Sequence, residues 1–430
     1  MNRHAFSWVR GRAARYAVAA LGSAVLASGA LVPAAAQAAA PATLYVSQGG
    51  LDSGTCTAAS PCATVSYALT QAASGATIEV SGTIDDHITI SQPVTITTWP
   101  GGPAVSPGVL DGTTTGEVVT VDSGVTGVTL QDLTVENGSA GVWNSGTLTL
   151  TDSTVTGNDY YAGVQNPGTG AMTIINSTIA GNSGVGGITN TGTVTVLGST
   201  IAGNSGYGID SSGTAILGAT IVADNTAYNC SAYYASSLYS AGYNLTNDTT
   251  GTACAFTAAT DRVNKNPLLG HLASNGGPTQ TMLPGTKSPA ANAIPNPTTL
   301  RGVAVCPAAD QRGVSRPGHG ESRCSIGAAE AAFNKPTTTS VTVSPATVTA
   351  GASVIYLAVV TPQSGTGTPA GTITFSIGST SLCTAVLSGG VAACGATTAP
   401  VGTDTVTGTY SGGDGYAKSS ATATLTVTSG

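Results

Sequence analysis

The chain has 430 residues, enough for two or three domains, and only 8% of its residues are charged. Its formal net charge is −7, and no Lys or Arg occurs between residues 16 and 261. Because neutralising phosphate groups requires basic side chains, these features argue against nucleic acid and anionic membranes as partners. An apolar fraction of 41%, with recurring β-branched residues, is enough to bury a core and argues against disorder.

The first 38 residues have the pattern of a secretory signal peptide. Four arginines precede or open the apolar run "YAVAALGSAVLASGALV" at 16–32, and "AQA" at 36–38 is a suitable cleavage site. We therefore expect an exported protein, secreted or associated with the cell surface, whose mature chain begins near Ala39. No later segment is apolar over the length that a bilayer requires, so we expect no membrane-spanning segment after cleavage.

Eight cysteines follow the signal, and an even number in an exported chain predicts disulfides. Their spacing suggests four local pairs: Cys56–Cys62, Cys230–Cys254, Cys306–Cys324 and Cys383–Cys394.

An N-terminal cap is expected at 39–75. Within it, "PCATVSYALTQAASG" (61–75) has apolar residues at helical spacing, which predicts an amphipathic helix. Such a helix would cover the open end of the repeats that follow and would shield exposed strand edges from aggregation.

A repeat of 20 to 24 residues dominates the next part of the chain. "STIAGNS" occurs at 177–183 and again at 199–205, with looser copies at 153–159 and 219–225. The aligned copies share three apolar columns. Within each copy, the apolar residues alternate with residues that point outward, which indicates three short strands per repeat. The predicted coils begin at Val128, Leu148, Met172, Val194 and Thr214. The columns are Leu130, Leu150, Ile174, Val196 and Ile216; Val135, Val155, Ile179, Ile201 and Ile221; and Val142, Val164, Ile188 and Ile209.

The same columns recur in the same direction, so the chain must coil and stack rather than fold into hairpins. This predicts a parallel β-helix over 76–260, with coils about 4.8 Å apart. Asparagines recur at two corners, where stacked amides can bond along the helix axis and tolerate left-handed backbone. The first predicted stack is Asn137, Asn158, Asn182, Asn204 and Asn225. The second is Asn144, Asn166 and Asn190.

The run "SPCATVSYALTQAASGATIEVSGTI" and the repeats after it resemble right-handed parallel β-helix proteins of the pectate-lyase-like superfamily. Segments of 239–330, including "YSAGYNLTND" and "NKNPLLGHLASNGGPTQTMLPGTKSPAANAI", resemble the C-terminal region of bacterial surface β-helix proteins of the choice-of-anchor Q type. The resemblance implies that residues 261–333 are the C-terminal part of the β-helix and a choice-of-anchor Q-like region. It also implies a surface location.

A polar linker is expected at 334–340 and a second domain at 341–430. The second segment has short alternating strands between Gly-rich turns, which predicts a β-sandwich. "PAGTITFSIG" and "GTYSGGDGYAKSSATATLTV" within it resemble bacterial Ig-like repeat domains. The fold class is therefore all-β: a right-handed parallel β-helix with an N-terminal helical cap, plus a C-terminal Ig-like β-sandwich.

Several residues are candidates for a site. If the chain is an enzyme, its catalytic carboxylates are expected among Asp85, Asp86, Asp132 and Asp152, since glycosidases need paired carboxylates. Asp132 and Asp152 share a column one coil apart, and their repulsion could be relieved by Ca²⁺, the only cofactor that the residues suggest. Exposed tyrosines beside small polar residues suit carbohydrate. The candidates are Tyr160, Tyr161, Tyr228, Tyr233 and Tyr234.

Two functions remain open from the sequence. The resemblance implies that lyases of this fold use Arg or Lys as a base, and the predicted β-helix has neither. We therefore favour an exported, non-catalytic surface or matrix protein, a monomer whose β-helix rod serves adhesion or binding to a polysaccharide or cell-surface glycan. The alternative is a polysaccharide-degrading lyase or hydrolase on the same scaffold, because this fold hosts both.

Overall fold

The computed structural model describes residues 43–103, 107–113, 115–232, 237–248, 254–318, 321–331, 336–363, 367–413 and 416–430. The predicted signal peptide, together with Tyr233 and Tyr234, lies outside these residues. In the part of the chain that the structure describes, no helix is both long and apolar enough to cross a membrane.

Three parallel sheets form a β-helix of about seven coils, and each coil passes through sheets 1, 2 and 3 in turn. Strands are numbered in chain order. Sheet 1 contains β1 (Thr43–Ser47), β2 (Ala76–Ser81), β5 (Val94–Thr98), β8 (Val128–Gln131), β11 (Thr147–Thr151), β14 (Ala171–Ile175), β17 (Thr193–Leu197), β20 (Thr214–Gly218) and β23 (Leu238–Gly242). Sheet 2 contains β3 (Thr83–Asp85), β6 (Val109–Asp111), β9 (Thr134–Glu136), β12 (Thr154–Thr156), β15 (Thr178–Ala180), β18 (Thr200–Ala202) and β21 (Ile221–Ala223). Sheet 3 contains β4 (Ile88–Ile90), β7 (Glu117–Val121), β10 (Ala140–Asn144), β13 (Ala162–Asn166), β16 (Gly186–Asn190), β19 (Tyr207–Ser211) and β22 (Cys230–Ala232).

The strand register stacks most of the predicted apolar columns inside the β-helix, where they are buried. The last coil differs from the prediction by one residue in sheets 1 and 2. Val196 pairs with Leu217 rather than Ile216, and Ile201 pairs with Val222 rather than Ile221. The predicted places of Ile216 and Ile221 are therefore wrong, because period-2 alternation makes a one-residue slip exchange the inner and outer faces.

Four asparagines, three of them fully buried, form a hydrogen-bonded ladder at the corner between sheets 2 and 3. In three successive pairs, the Nδ2 of one coil donates to the Oδ1 of the next at 2.9 to 3.0 Å. The ladder runs through Asn158, Asn182, Asn204 and Asn225. It fixes each coil to its neighbour from inside the corner.

Asn137 does not belong to this ladder, so the prediction that it does is wrong. The backbone N–H of Gly138 donates to Asn158 Oδ1, which places Gly138 at the ladder position of its coil. Asn137 instead occupies the preceding position, with φ of 59°, which later coils fill with Gly157 and Gly181. Asparagine tolerates that left-handed backbone, and this explains why it can replace glycine there.

The other two corners carry polar ladders of their own. At the corner between sheets 3 and 1, Asn144 Nδ2 donates to Asn166 Oδ1, and Asn166 Nδ2 donates to Asn190 Oδ1, both at 2.8 Å. At the corner between sheets 1 and 2, the backbone N–H of Ser153 donates to the Ser177 hydroxyl at 3.1 Å. All three corners are therefore cross-linked along the helix axis.

The predicted cap contains helix α1 (Val65–Gln71), with Val65 and Ala68 buried against the first coils. Residues 43–47, also within the predicted cap, form the edge strand of sheet 1. Asp86 fixes the helix to the coils, since its carboxylate accepts bonds from the Ser66 backbone N–H at 2.7 Å and the Ser66 hydroxyl at 2.8 Å.

The strap, as residues 278–318 and 321–331 are called below, covers part of the outer face of sheet 2. Thr154 and Thr178 point outward from that sheet but are fully buried beneath the strap. Gln311 Nε2 donates to Thr154 Oγ1 at 2.9 Å, and the Thr178 hydroxyl donates to Gln311 Oε1 at 2.6 Å. The strap itself has two short strand pairs: β24 (Ile294–Pro295) with β27 (Arg323–Cys324), and β25 (Thr299–Leu300) with β26 (Val303–Ala304).

The C-terminal segment is a sandwich of a three-stranded and a five-stranded sheet. The first sheet contains β28 (Thr337–Ser344), β30 (Val354–Pro362) and β33 (Val391–Ala396). The second contains β29 (Thr347–Thr349), β31 (Thr372–Ile377), β32 (Thr380–Val386), β34 (Gly402–Tyr410) and β35 (Ser419–Thr428). Strand β28 begins inside the segment expected as a linker, because residues 337–340 already pair with β30.

The four disulfides join the cysteines in the pairs that their spacing suggests: Cys56–Cys62, Cys230–Cys254, Cys306–Cys324 and Cys383–Cys394.

Candidate functional site

The outer face of sheet 3 carries one aligned column of side chains along the helix axis. The register places one residue from each coil in this column: Thr89, Thr120, Trp143, Gln165, Thr189, Asp210 and Ser231. Because each coil adds about 4.8 Å, the stretch from Trp143 to Asp210 is roughly 14 Å long. We call this column, together with the row formed by Tyr160, Tyr161, Tyr207 and Tyr228 beside it, the sheet 3 face.

Tyrosines line the edge of the sheet 3 face where the strands of sheet 3 begin. Tyr160 and Tyr228 are 68% and 62% exposed, and Tyr161 is 37% exposed. Ring contacts organise the row into two clusters. Tyr161 meets Trp143 edge-on with ring centroids 5.6 Å apart, and Tyr207 stacks on Tyr228 at 6.1 Å.

The backbone holds this aromatic row parallel to the helix axis. Val185 N–H donates to the Tyr161 carbonyl at 2.8 Å, and Tyr207 N–H donates to the Val185 carbonyl at 2.9 Å. The Tyr228 carbonyl accepts the next bond, from Gly208 N–H at 2.9 Å. The exposed rings therefore stand on a rigid scaffold and lose little conformational freedom when a ligand stacks on them.

The N-terminal end of the sheet 3 face contains a pocket of about 260 Å³. His87, Glu117 and Thr120 are among its lining residues. His87 Nδ1 lies 2.9 Å from the Glu117 carbonyl, a contact that fixes the orientation of the imidazole ring.

A second concavity, the corner cleft, lies between the strap and the corner of sheets 1 and 2. Its volume is about 330 Å³, and Asp132, Asp152, Asn176 and Arg312 are among its lining residues. The first three occupy one column on successive coils, with φ of 55°, 52° and 50°. Arg312 is neutralised within the cleft by an ion pair of 2.6 Å with Asp310.

Within the column of Asp132, Asp152 and Asn176, the side-chain hydrogen bonding stops between the two aspartates. Asn176 Nδ2 donates to Asp152 Oδ1 at 2.5 Å, but a carboxylate has no N–H to pass on to Asp132. Burial and the Asp152 carboxylate raise the pKa of Asp132, and burial raises the pKa of Asp152 against the opposing bonds from Asn176 and Thr151. The two carboxylates therefore repel each other across one coil.

Replacing Asp152 with Asn should stabilise the protein when chelator is present. The new Nδ2 can donate to Asp132 and removes the repulsion, so we expect about 1 kcal/mol in the free energy of unfolding. Urea denaturation in EDTA measures the change. Asp159→Asn, which removes an exposed carboxylate from the same coil, is the control and should change little. A destabilised Asp152→Asn variant would contradict this account of the corner.

The four candidate catalytic carboxylates are not brought together. Asp85 lies at the end of β3 and Asp132 just before the start of β9, so they lie at opposite ends of sheet 2 strands. Asp86 is engaged by the N-terminal turn of α1. Asp132 and Asp152 do share a concavity, the corner cleft.

Asp85 does share a column with two other acids, Asp111 and Glu136, on successive coils of sheet 2. Burial, followed by the Asp111 carboxylate, raises the pKa of Glu136 above 4.5. The Glu136 carboxyl group therefore stays protonated to a higher pH in the folded chain than in the unfolded chain. The resulting stability is present below about pH 4.5 and is lost as pH rises through the folded pKa.

We expect Glu136→Gln to raise the melting temperature at pH 7 and to have little effect near pH 4. The gain should be a few tenths of a kcal/mol, because the group is half exposed and screened by solvent. Thermal melts of the parent and the variant between pH 4 and pH 7 show whether the melting temperature rises as expected. Glu79→Gln on sheet 1 removes one carboxylate elsewhere, and an equal pH-dependent gain there would contradict a local cause.

The sequence predictions missed Trp143, Gln165, Thr189 and Asp210 of the sheet 3 face. Each follows a residue of the third predicted column, such as Val142, so strand alternation makes it point outward. That signal was present in the repeat. The strap residues of the corner cleft, such as Arg312, left no comparable signal because they are brought there by non-local contacts.

Two family models match the chain. Residues 117–266 match a right handed beta helix region, and residues 341–428 match the bacterial Ig-like domain (group 3). No curated protein and no solved structure matches the chain. The fold is therefore a right-handed parallel β-helix with a bacterial Ig-like domain, a combination that indicates an extracellular-type protein.

Proposed function

We propose that this protein is an exported, non-catalytic glycan-binding protein whose sheet 3 face takes up a polysaccharide chain along the helix axis. The observation that carries the proposal is the aromatic row, in which exposed tyrosines are aligned over several coils. Sugar rings stack on such surfaces, while their hydroxyls bond to adjacent polar side chains. Gln165 and Thr189 offer those partners in the column beside the row.

The same proposal places the protein outside the cell. The four disulfides fit an oxidising compartment. The likeness of residues 239–330 to the choice-of-anchor Q region supports retention at a cell surface. We take the Ig-like domain to be a spacer or an additional binding module, and the working form to be a monomer.

Tyrosine substitutions test the binding face. We expect the double substitution Tyr160→Ala and Tyr161→Ala to weaken glycan binding at least tenfold, or about 1.4 kcal/mol, because it removes a stacking surface. Binding is measured by retention on insoluble polysaccharides and by calorimetry with soluble fragments.

Tyr239→Ala is the matched control, because Tyr239 is 47% exposed but lies on sheet 1. It should bind as the parent does. Equal losses in the control and in the double variant would argue against a specific face, and unchanged binding in the double variant would remove the face from the proposal.

A second candidate function is a polysaccharide-degrading enzyme, favoured by the acidic pair in the corner cleft. Asp132 and Asp152 lie one coil apart, so their backbones are separated by about 4.8 Å, and this spacing permits the separation of roughly 5 Å that the carboxylates of retaining glycosidases have. This candidate predicts turnover that the binding proposal does not.

Calcium at Asp132 and Asp152 stays a prediction. Among the residues that the structure describes, no three His, Cys, Asp or Glu side chains lie together in a way that could hold a metal. Ca²⁺ takes about six to eight oxygens, so two carboxylates would leave most ligands to water. Calorimetric titration with CaCl₂ of the parent and of Asp152→Asn tests this site.

A further inference from the structure

The sheet 3 face contains two buried polar atoms, a carboxylate oxygen and a hydroxyl oxygen, that the rest of the described chain leaves unpaired. Asp210 Oδ1 and Thr189 Oγ1 have no hydrogen-bond partner among the described residues. They are register neighbours on β19 and β16, and both residues remain partly exposed on the outer face. Because these atoms are shielded from water, the Asp210 carboxylate is less hydrated than a fully exposed one, and a charge that a ligand brings to it meets less competition from water.

The charge of the surrounding coils defines which donor is favoured. No Lys or Arg occurs between residues 16 and 261, so the strands of the β-helix contain neither residue. The Asp210 carboxylate therefore has no cation from its own sheet. It repels an acidic sugar and attracts a positively charged one.

The aromatic row adds a second attraction for a cation. Tyr207 and Tyr228 are stacked with an interplanar angle of 18°. Tyr207 lies three residues before Asp210 on β19, which is about 10 Å along an extended strand. Aromatic faces attract ammonium groups as well as sugar rings, so the tyrosines and the carboxylate favour the same ligand charge.

We propose that the sheet 3 face selects polysaccharides that carry free amino groups over neutral or uronic acid polymers, with Asp210 as the specificity residue. This inference rests on the proposed glycan-binding function and names its substrate class. Sugar rings stack on the tyrosines, and an ammonium group bonds to Asp210. Uronic acid chains are repelled by the acidic, lysine-free face.

The test compares three soluble probes of matched length by calorimetry: glucosamine oligomers, their fully N-acetylated counterparts and oligogalacturonates. The titrations are run at a mildly acidic pH at which the sugar amines are charged. We expect the glucosamine oligomers to bind roughly tenfold tighter than the acetylated ones, corresponding to one charged pair at a partly desolvated site. The oligogalacturonates should bind least.

Asp210→Asn should lower the ratio of the affinity for glucosamine oligomers to that for acetylated oligomers from about tenfold to about one. Glu79→Gln is the control, because it removes the same charge from the outer face of sheet 1. Equal losses in the two variants would reduce the preference to general electrostatics and overturn the role of Asp210. Tighter binding of acetylated or uronic acid oligomers would overturn the substrate class alone, whereas no binding of any glycan would instead overturn the proposed function.

Discussion

Replacing Arg316 with Met should lower the free energy of unfolding by about 3 to 5 kcal/mol, the usual cost of removing one partner of a buried ion pair. Arg316 lies in the strap and is almost fully buried, with its Nε 3.4 Å from Glu330 Oε1 and its Nη2 donating to the Gly327 carbonyl at 2.7 Å. Without the guanidinium, Glu330 would remain buried with only the bonds from Ser325.

A double-mutant cycle separates the ion pair from packing. Adding Glu330→Gln to Arg316→Met removes the buried Glu330 charge that has lost its partner. The double variant should therefore be more stable than the Arg316→Met single variant. Arg301→Met replaces an exposed arginine of the strap and should stay within about 0.5 kcal/mol of the parent. Urea denaturation followed by circular dichroism measures all of these variants. A near-neutral Arg316→Met would contradict the view that this pair holds the strap.

Asn182→Ala should cost about 3 kcal/mol, because it opens the middle of the corner ladder. Asn182 Nδ2 donates to Asn204 Oδ1 and to the Val155 carbonyl, each at 3.0 Å. Its Oδ1 accepts from the Asn158 side chain at 2.9 Å. Alanine removes these three hydrogen bonds from a fully buried corner, and each contributes about 1 kcal/mol.

Asn137→Gly is the matched control for the ladder. Asn137 shares the sequence pattern of the ladder asparagines, but it occupies the left-handed position where Gly157 and Gly181 stand on later coils. Glycine suits that backbone, so the cost should be limited to about 1 kcal/mol for the lost bond from Asn137 Nδ2 to Asp111 Oδ2 at 2.9 Å. Comparable losses at positions 137 and 182 would contradict the ladder as described.

The repeat made most of the β-helix predictable because its two signals reinforce each other. Alternation with period 2 identifies the inner columns, and recurrent asparagines identify the corners. The errors arise where these signals are ambiguous. "VENGS" places Asn137 one residue before the corner position that "TGNDY" gives to Asn158, and the apolar run around Ile221 permits either register.

The candidate site could be predicted from the sequence only where its residues belong to the repeat itself. The tyrosines Tyr160, Tyr161 and Tyr228 are exposed, and Asp132 and Asp152 share a column as their spacing predicts. The corner cleft was not predictable, because one of its walls comes from a strap more than a hundred residues further along the chain. The position of the strap against the coils depends on side-chain packing between distant segments rather than on local periodicity.

The most direct test of a non-catalytic glycan-binding protein measures retention and turnover together. The mature protein is incubated with insoluble plant, algal and bacterial polysaccharides, with and without Ca²⁺. The bound fraction, new reducing ends and the ultraviolet absorbance of unsaturated sugars are then recorded. We predict retention on at least one polysaccharide without product. Product that appears with the parent and disappears with Asp132→Asn or Asp152→Asn would contradict the account and establish an enzyme acting at the corner cleft.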